Sequence, residues 1–425
     1  MSFLTFPYGK ETRSCHIDDT YLQAVLQSQL HGYDPGCSQE ALVAQAMANP
    51  ICCAPLEELA AGKQNIVIIA SDHTRPVPSK VIIPPMLRAI RRGNPNANIT
   101  LLIATGCHRG TTKEELVAKF GQEIVDNEQI VIHDCDDREN LVELGTLPSG
   151  GTLTANRLAA EADLLVAEGF IEPHFFAGFS GGRKSVLPGV AGRQAVLANH
   201  CSEFIAHPRA RTGILEGNPI HADMLWAAKQ AKLRYIVNAV LDENKQVIHA
   251  VAGDPEQAHA VGCSWLLGKC KAAPAMADIV ISTNGGYPLD QNVYQAVKGM
   301  TAAEATVKEG GVIIMLAQSG DGHGGEQFYR QLAQEPDIQK TMDIFLSRGR
   351  DETVPDQWQT QIFLRILNRA RVLYLSDLPD ELISQLHMTP IHSLEEGLAL
   401  ARQLLGNPDA TITAIPDGVA VMVTE

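Results

Sequence analysis

The feature that most constrains the fold is a repeated alternation of short apolar runs with amphipathic stretches. The runs are rich in Val and Ile, and helical periodicity separates many of them. Strands are predicted at 65–70, 99–105, 130–133, 163–167, 235–241, 278–282, 312–316, 372–376 and 411–415. Helices are predicted at 112–125, 255–268 and 394–405. Apolar strands that alternate with helices indicate an α/β protein with mainly parallel, two-sided sheets.

The chain of 425 residues is long enough for two cores. A boundary is predicted near 269–276, where Ala-Ala-Pro-Ala leads from a helical pattern into a strand. An N-terminal domain is therefore expected over 1–270 and a C-terminal α/β domain over 271–410. The tail, 411–425, contains a further predicted strand that could join either sheet, including a return to the N-terminal domain.

Charge and cysteine usage exclude several classes of protein. The balance of 34 basic and 49 acidic residues gives a net charge of −15, which repels phosphate backbones, so no nucleic-acid partner is expected. Nine cysteines without a Cys-x-x-Cys spacing argue against zinc ribbons and disulfide frameworks. The N-terminus lacks a signal-peptide pattern, and no apolar run approaches membrane-spanning length. We expect a cytoplasmic protein without a membrane partner.

Three predicted strands lead directly into polar loops. These loops are Ser71-Asp-His-Thr-Arg-Pro76, Gly106-Cys-His-Arg-Gly110 and Glu172-Pro-His174. Ligands of open α/β sheets bind beyond the carboxyl ends of the strands, so the loops are expected to converge on one site. His108 and His174 are candidate proton shuttles there, although a lone loop histidine is more often a surface or capping residue.

The glycine-rich segment Gly178-Phe-Ser-Gly-Gly-Arg-Lys-Ser185 resembles a phosphate loop. A Walker motif needs glycine directly before the lysine, and Arg183 stands there, so NTP hydrolysis is disfavoured. Two interpretations of this segment remain: a different type of loop whose amides hold a phosphate, and a glycine turn with a solvated lysine. No His-Glu-x-x-His pattern occurs, so no zinc hydrolase site is indicated.

A second polar cluster follows the predicted strand 278–282. The side chains of Gln291, Tyr294, Gln295 and Lys298 have the spacing of one helix face. An apolar stripe at this spacing would be core, whereas a polar face meets either water or a ligand.

These motifs together resemble the nickel-pincer lactate racemase family over essentially the whole chain. The matching segments are SDHTRPVP (71–78), ATGCHRG (104–110), HFFAGFSGGRKSVLPG (174–189), ANH (198–200), STNGGYPLDQNVYQAVKGMTAAEAT (282–306), DGHGGE (321–326) and PDQW (355–358). The resemblance implies two α/β domains with the active site in the cleft between them and the C-terminal domain closing over the substrate.

The resemblance also implies a cofactor. Lys184 would be joined covalently to a pyridinium bis-thio mononucleotide, the nickel-pincer nucleotide, and His200 would be the protein ligand of nickel. Maturation proteins that make this cofactor would be partners. Further cofactor contacts, to the phosphate in particular, would come from the loops that hold Asp72, Thr74, Gly178, Ser180 and Gly182.

The implied reaction interconverts L- and D-lactate. His108 and His174 would be the two acid/bases, and a set of side chains would bind the substrate: Arg75, Tyr294, Gln295, Lys298 and Trp358. Removing the α-proton beside a carboxylate faces a pKa gap of about 15 units to histidine, or ~20 kcal/mol. Proton-coupled hydride transfer to the cofactor, through bound pyruvate, avoids that carbanion. Alternatives are a racemase or epimerase of another 2-hydroxy acid, such as malate or a sugar acid, an NTP-dependent enzyme and a nickel carrier.

Overall fold

A computed structural model describes residues 1–30 and 32–424. The strands are β1 (Ser2–Tyr8), β2 (Glu11–Ile17), β3 (Leu22–Val25), β4 (Asn65–Ser71), β5 (Asn98–Ala104), β6 (Gln129–Ile132), β7 (Leu141–Thr146), β8 (Thr152–Asn156), β9 (Leu164–Phe170), β10 (Pro173–His174), β11 (Gly178–Phe179), β12 (Leu233–Leu241), β13 (Val247–Gly253), β14 (Lys271–Ala272), β15 (Ala277–Thr283), β16 (Val307–Leu316), β17 (Arg371–Leu375), β18 (Thr389–Ile391), β19 (Ile412–Ile415) and β20 (Met422–Val423).

The α-helices are α1 (Gln39–Ala48), α2 (Leu56–Ala60), α3 (Ser79–Gly93), α4 (Lys113–Phe120), α5 (Gln122–Asn127), α6 (Arg157–Ala160), α7 (Arg193–Asn199), α8 (Ser202–Ala206), α9 (Pro219–Gln230), α10 (Gln257–Cys270), α11 (Val293–Glu304), α12 (Glu326–Ala333), α13 (Ile338–Ser347), α14 (Gln357–Arg369), α15 (Asp380–Gln385) and α16 (Leu394–Leu405). No helix in the described part of the chain is long and apolar enough to cross a membrane.

The chain forms two compact units. The first unit comprises Leu30–His200 and His207–Gly268, and the second comprises Met1–Gln29, Cys201–Ala206 and Lys269–Glu425. Each unit is built on its own six-stranded sheet with helices packed against it. The predicted α/β class with mainly parallel sheets is confirmed.

The sheet of the first unit has the strand order β13-β12-β9-β4-β5-β6. All neighbours are parallel except the edge strand β13, which runs antiparallel to β12. The chain moves from β4 outward through β5 and β6, then returns to the other side of β4 with β9 and β12. Such a reversal of strand order opens a crevice at the carboxyl ends of the two strands that flank it. The loops after β4, β5 and β9 start at that edge.

The sheet of the second unit has the order β18-β17-β16-β15-β19-β3, with every pair parallel. The predicted tail strand is β19, and it pairs with β15 and β3 of this sheet rather than with the first unit. The last short strand, β20, pairs with β14. Of the two possibilities left open for the tail, the return to the N-terminal domain is therefore wrong.

The N-terminal residues require a second correction, because 1–29 belong to the second unit and not to an N-terminal domain over 1–270. The β1–β2 hairpin places Phe6, Tyr8, Cys15 and Ile17 in the hydrophobic core of the second unit. The physical reason is the alternation of buried and exposed side chains along these strands, which gives the hairpin one apolar face that must be covered.

Local geometry divides one predicted helical stretch and shortens another. The stretch 112–125 is two helices separated at Gly121, whose φ of +90° breaks the helix. In the second unit, Asn292 caps α11 and accepts a hydrogen bond from the Gln295 amide. Gln291 therefore precedes the helix, and only three residues of the predicted polar face lie on it: Tyr294, Gln295 and Lys298.

Substitution of Phe6 tests the placement of the hairpin. The Phe6 side chain is 0% exposed, so Phe6→Ala should destabilise the second unit by about 3–5 kcal/mol through lost burial and a cavity. Hydrogen exchange measured by mass spectrometry should then rise in β15 and β16 but not in β4 and β5. Phe3→Ala is the matched control on the same strand, because Phe3 is 61% exposed. Equal effects of both variants, or loss of protection in β4 instead, would contradict this placement.

Candidate active site

A buried carboxylate orients the first predicted acid/base. Asp72 follows β4, and its Oδ2 lies 2.7 Å from Nδ1 of His108, which follows β5. The Asp72 side chain is 1% exposed and that of His108 is 43% exposed. A carboxylate accepts only, so Nδ1 of His108 carries the proton and the lone pair of the neutral ring lies on Nε2. This arrangement leaves His108 ready to accept a proton at Nε2.

The charge on Asp72 is maintained despite its burial. Burial alone would raise its pKa, but hydrogen bonds from His108 and Thr74 and the charge of Arg75 outweigh that effect. The net result holds the pKa of Asp72 below its usual value. Thr74 donates its hydroxyl to Oδ1 at 2.7 Å, so both carboxylate oxygens are engaged within the chain. Asp72 and Thr74 thus form one hydrogen-bonded group with His108, and their contacts to a cofactor remain a prediction.

Three other predicted residues surround one aromatic ring, that of Phe176. The ring centroid of Phe176 lies 4.5 Å from that of His174 and 5.2 Å from that of His200. The Nζ atom of Lys184 lies 5.6 Å from the same centroid and 3.3 Å from Nε2 of His174. The short β10–β11 hairpin and the turn Gly182–Ser185 bring these side chains together. The structure therefore assembles His174, Lys184 and His200 in one cluster.

Both ring nitrogens of His174 lie against donors. The backbone N–H of Ala177 donates to Nδ1 of His174 at 3.3 Å. The Nζ atom of Lys184, whose ammonium can only donate, lies 3.3 Å from Nε2. These contacts fix the position of the His174 ring, with Nε2 facing Lys184.

His200 has the orientation of a metal-binding imidazole. It follows α7, and its Nδ1 lies 2.9 Å from the carbonyl oxygen of Val196, which can only accept a hydrogen bond. The lone pair is therefore on Nε2. Burial, together with the charge of Lys184, lowers the pKa of His200 to about 3, so the ring is neutral at physiological pH. A neutral imidazole whose other nitrogen is fixed by a carbonyl is the usual form of a histidine ligand.

The glycine-rich loop uses its donors within the chain. The Ser180 amide donates to the carbonyl of Glu172, and the Gly182 amide donates to Oδ1 of Asn238. The Ser180 hydroxyl is engaged by the Glu172 amide and the Phe170 carbonyl. The amides of Ser180 and Gly182 therefore have partners within the chain, and contacts of Gly178, Ser180 and Gly182 to a cofactor remain a prediction.

Packing explains the glycines of the loop. A Cβ at Gly182, where φ is +53°, would lie 2.8 Å from the ring of His259. A Cβ at Gly178 would lie 2.5 Å from the carbonyl oxygen of Ile214. Beneath the loop, Arg183 is 1% exposed and donates to the carbonyls of Ala177 and Phe179. Arg183 is thus a buried clamp of the loop, and it leaves Lys184 as the residue of this segment that faces the histidine cluster.

The predicted substrate-binding side chains lie in both units. In the first unit, Arg75 is exposed on the loop that follows β4. In the second unit, Tyr294, Gln295 and Lys298 are partly exposed on α11, and Trp358 is partly exposed on α14. The Tyr294 hydroxyl donates to Asp356 at 3.3 Å, and its ring packs edge-on against Phe328. Their role in substrate binding remains a prediction.

Sequence reasoning missed the residues that orient the reactive ones. Phe176 has a visible signal, since it lies inside the segment HFFAGF between the two candidate residues His174 and Lys184. Val196 is four residues before His200, the spacing at which a helical carbonyl meets a side chain at the helix end. Buried Glu168 in β9 has no local signal, because its partners come from a distant loop.

Known proteins share both the sequence and the fold of this chain. The N-terminal domain model of lactate racemase matches residues 8–213, and the C-terminal domain model matches residues 272–423. The chain is 54% identical to the lactate racemase of Thermoanaerobacterium thermosaccharolyticum and 53% identical to that of Lactiplantibacillus plantarum, with 100% of every chain covered.

Solved structures give the same result. The lactate racemase apoprotein from T. thermosaccharolyticum superimposes with a TM-score of 0.96 at 53% identity, covering 100% of both chains. A Thermotoga maritima protein shares the fold with a TM-score of 0.66 at 17% identity, covering 92% of this chain and 99% of that one.

The buried histidines of the first unit predict acid lability. The pKa is lowered by burial in each of His133, His200, His221, His249 and His259. Below about pH 6.5 the unfolded chain binds protons that the folded chain excludes, so stability is full above that pH and falls as the pH approaches 3. Each such histidine contributes a slope of up to about 1.4 kcal/mol per pH unit.

Denaturant unfolding of the first unit, followed by hydrogen exchange between pH 8 and pH 5, measures this slope. The variant His221→Asn should reduce this slope by one histidine's share, because the pKa of His221 is lowered to about 3 and its buried Nδ1 has no hydrogen-bond partner among residues 1–30 and 32–424. A stability that is flat from pH 7 to pH 5 would contradict the burial of neutral imidazoles.

Proposed function

The chain belongs to the lactate racemase family, and we propose that it interconverts L- and D-lactate with a nickel-pincer nucleotide joined to Lys184. Membership of this family makes the protein an isomerase that acts on a small hydroxy acid. The observation that carries the proposal is a pair of histidines beyond the carboxyl ends of adjacent strands: His108, whose Nδ1 is held by Asp72, and His174, whose Nε2 faces Lys184.

Racemisation requires two acid/bases. One group removes the hydroxyl proton of lactate as the keto acid forms, and another returns a proton to the carbonyl oxygen on the opposite face. Nε2 of neutral His108 would take the proton of one enantiomer, and Asp72 would stabilise the resulting imidazolium. His174, starting as the imidazolium, would supply from Nε2 the proton that completes the other enantiomer and become neutral. In the reverse direction the two rings exchange roles, as microscopic reversibility demands.

The donor set of the histidine cluster fits the proposed cofactor. Nε2 of His200 presents a lone pair, and imidazole together with soft sulfur donors suits Ni(II). Lys184 would hold the nucleotide covalently through its amine, which lies beside His174. When bound, the nickel-pincer nucleotide would supply a reversible acceptor for the hydride of the substrate's α-carbon. The stacked rings of Phe175 and His174 and the edge of Phe176 would limit access of water from this side.

Lactate is an anion, and the chain has a net charge of −15, so local cations must attract and orient the substrate. Arg75 would bind the carboxylate in bidentate fashion, since its guanidinium is exposed at the carboxyl edge of the sheet. Gln295 and Lys298 would add further contacts to the same group, and Tyr294 and Trp358 would line the pocket. These assignments follow the family motifs.

The Asp72→Asn variant tests the tautomer argument. An asparagine can donate its amide to Nδ1 of His108, which moves the ring proton to Nε2 and removes the base. The rate of racemisation in cofactor-loaded protein should fall by a factor on the order of 10²–10⁴. Chiral chromatography of the product formed from each pure enantiomer measures this rate. The rates in the two directions must fall by the same factor, because enantiomers have equal free energy.

The matched control for this variant is Asp254→Asn. Asp254 accepts hydrogen bonds from the backbone amides of Glu256 and Gln257 and has no histidine partner in the described structure. Its substitution should leave racemisation within about twofold of the parent, as for surface changes generally. Full activity of Asp72→Asn with lactate, or racemisation of malate in preference to lactate, would contradict the proposal.

A further inference from the structure

The loop that carries Asp72 and Arg75 is fastened to the sheet by one buried acid, Glu168. This residue lies in the central strand β9 and is 4% exposed. Its Oε1 accepts from the Ser71 amide at 3.2 Å, the Ser71 hydroxyl at 3.2 Å and the Ser79 hydroxyl at 2.6 Å. Ser71 is the last residue of β4 and Ser79 the first of α3. A single carboxylate oxygen therefore holds the loop at the point where it leaves the strand and at the point where it enters the helix.

A lysine fastens the middle of the same loop. Nζ of Lys119, from α4, donates to the carbonyl of Arg75 at 3.0 Å and to that of Val77 at 3.4 Å. Burial lowers the pKa of Lys119, while the charges of Glu168 and Asp72 act in the opposite direction. Burial likewise raises the pKa of Glu168, in spite of the opposing charge of Lys119 and the hydrogen bonds from Ser79 and Ser71. Glu168 and Lys119 thus hold the same loop from two different elements, β9 and α4.

The burial of the Glu168 carboxyl group destabilises the fold, which indicates that this residue has a role beyond folding. Oε2 of Glu168 is buried and has no hydrogen-bond partner in the described structure. An incompletely satisfied carboxylate in a sheet core is expensive, and an apolar residue at this position would avoid the penalty. The residues held by the carboxylate all belong to the loop that orients His108. Prolines at 76 and 78 stiffen the remainder of the loop, since each fixes its own φ.

We propose that Glu168, supported by Lys119, is a positioning residue that sets the register of the Ser71–Ser79 loop and thereby the Asp72–His108 hydrogen bond. Its hydrogen-bond partners, Ser71 and Ser79, belong to the loop, so it would act through Asp72. The inference rests on the proposed function for its effect on racemisation, but its effect on the geometry of His108 is independent of that function.

The test uses the full-length chain labelled with ¹⁵N-histidine. Ring ¹⁵N shifts distinguish the two tautomers, and His108→Gln identifies the His108 signals. In the parent, His108 should show the Nδ1–H tautomer. In Glu168→Ala that signature should shift towards a mixture of tautomers, and racemisation by the cofactor-loaded variant should fall about 10- to 100-fold, the usual effect of losing an outer-shell partner. Glu168→Gln keeps one acceptor oxygen. It should therefore retain more of the Nδ1–H signature and more of the racemisation activity than Glu168→Ala.

The matched control is Asp163→Asn, at the residue just before β9 and therefore at the amino end of that strand. Asp163 accepts from the amides of Gln64 and Asn65, where β4 begins. The Asp163→Asn variant should leave the His108 signals unchanged. Should Glu168→Ala fail to fold, Ser79→Ala removes the 2.6 Å hydrogen bond to Glu168, with a long 3.5 Å contact to the Val77 carbonyl, and should produce a smaller shift of the same kind.

Parent-like His108 signals in folded Glu168 variants would overturn the inference, as would an equal shift in Asp163→Asn. A parent protein that does not racemise lactate would overturn the proposed function instead, and the shift of the His108 signals would still decide the inference.

Discussion

The short hydrogen bond between Asp72 and His108 is the contact on which the proposed chemistry depends. A neutral imidazole has one N–H, so fixing it on Nδ1 decides that Nε2 accepts a proton. The carboxylate must stay charged to do this, and the hydrogen bonds of His108 and Thr74 with the charge of Arg75 keep it so in spite of burial. The same logic of one fixed nitrogen leaves His200 with a lone pair on Nε2.

The parallel sheet of the first unit supplies the geometry for these contacts. Asp72, His108 and His174 follow β4, β5 and β9, which are adjacent in the sheet, so their loops begin at one edge. Strand order reverses between β4 and β9, which is where open α/β sheets form their binding crevice. The central strand β9 also contributes Glu168, which connects the rigid core to the loop that orients His108.

Much of this could be predicted from sequence because the signals are local. The apolar strands identified the class of fold, and the family motifs identified the chain as related to lactate racemases. Sequence patterns did not reveal the features that depend on contacts between residues far apart in the chain. The glycines at 178 and 182 are required by packing against Ile214 and His259, and the β1–β2 hairpin joins the second unit although it begins the chain. No spacing along the sequence reveals either contact.

The most direct measurement is the mass of the peptide that contains Lys184, together with the nickel content of the intact protein. The protein should be purified in racemising form from its native source. The account predicts a covalent adduct on Lys184 and about one nickel per chain, lost together with activity in Lys184→Arg. Fully active protein with an unmodified Lys184 peptide would contradict the account, because the cluster of His174, Lys184 and His200 would then lack the role assigned to it.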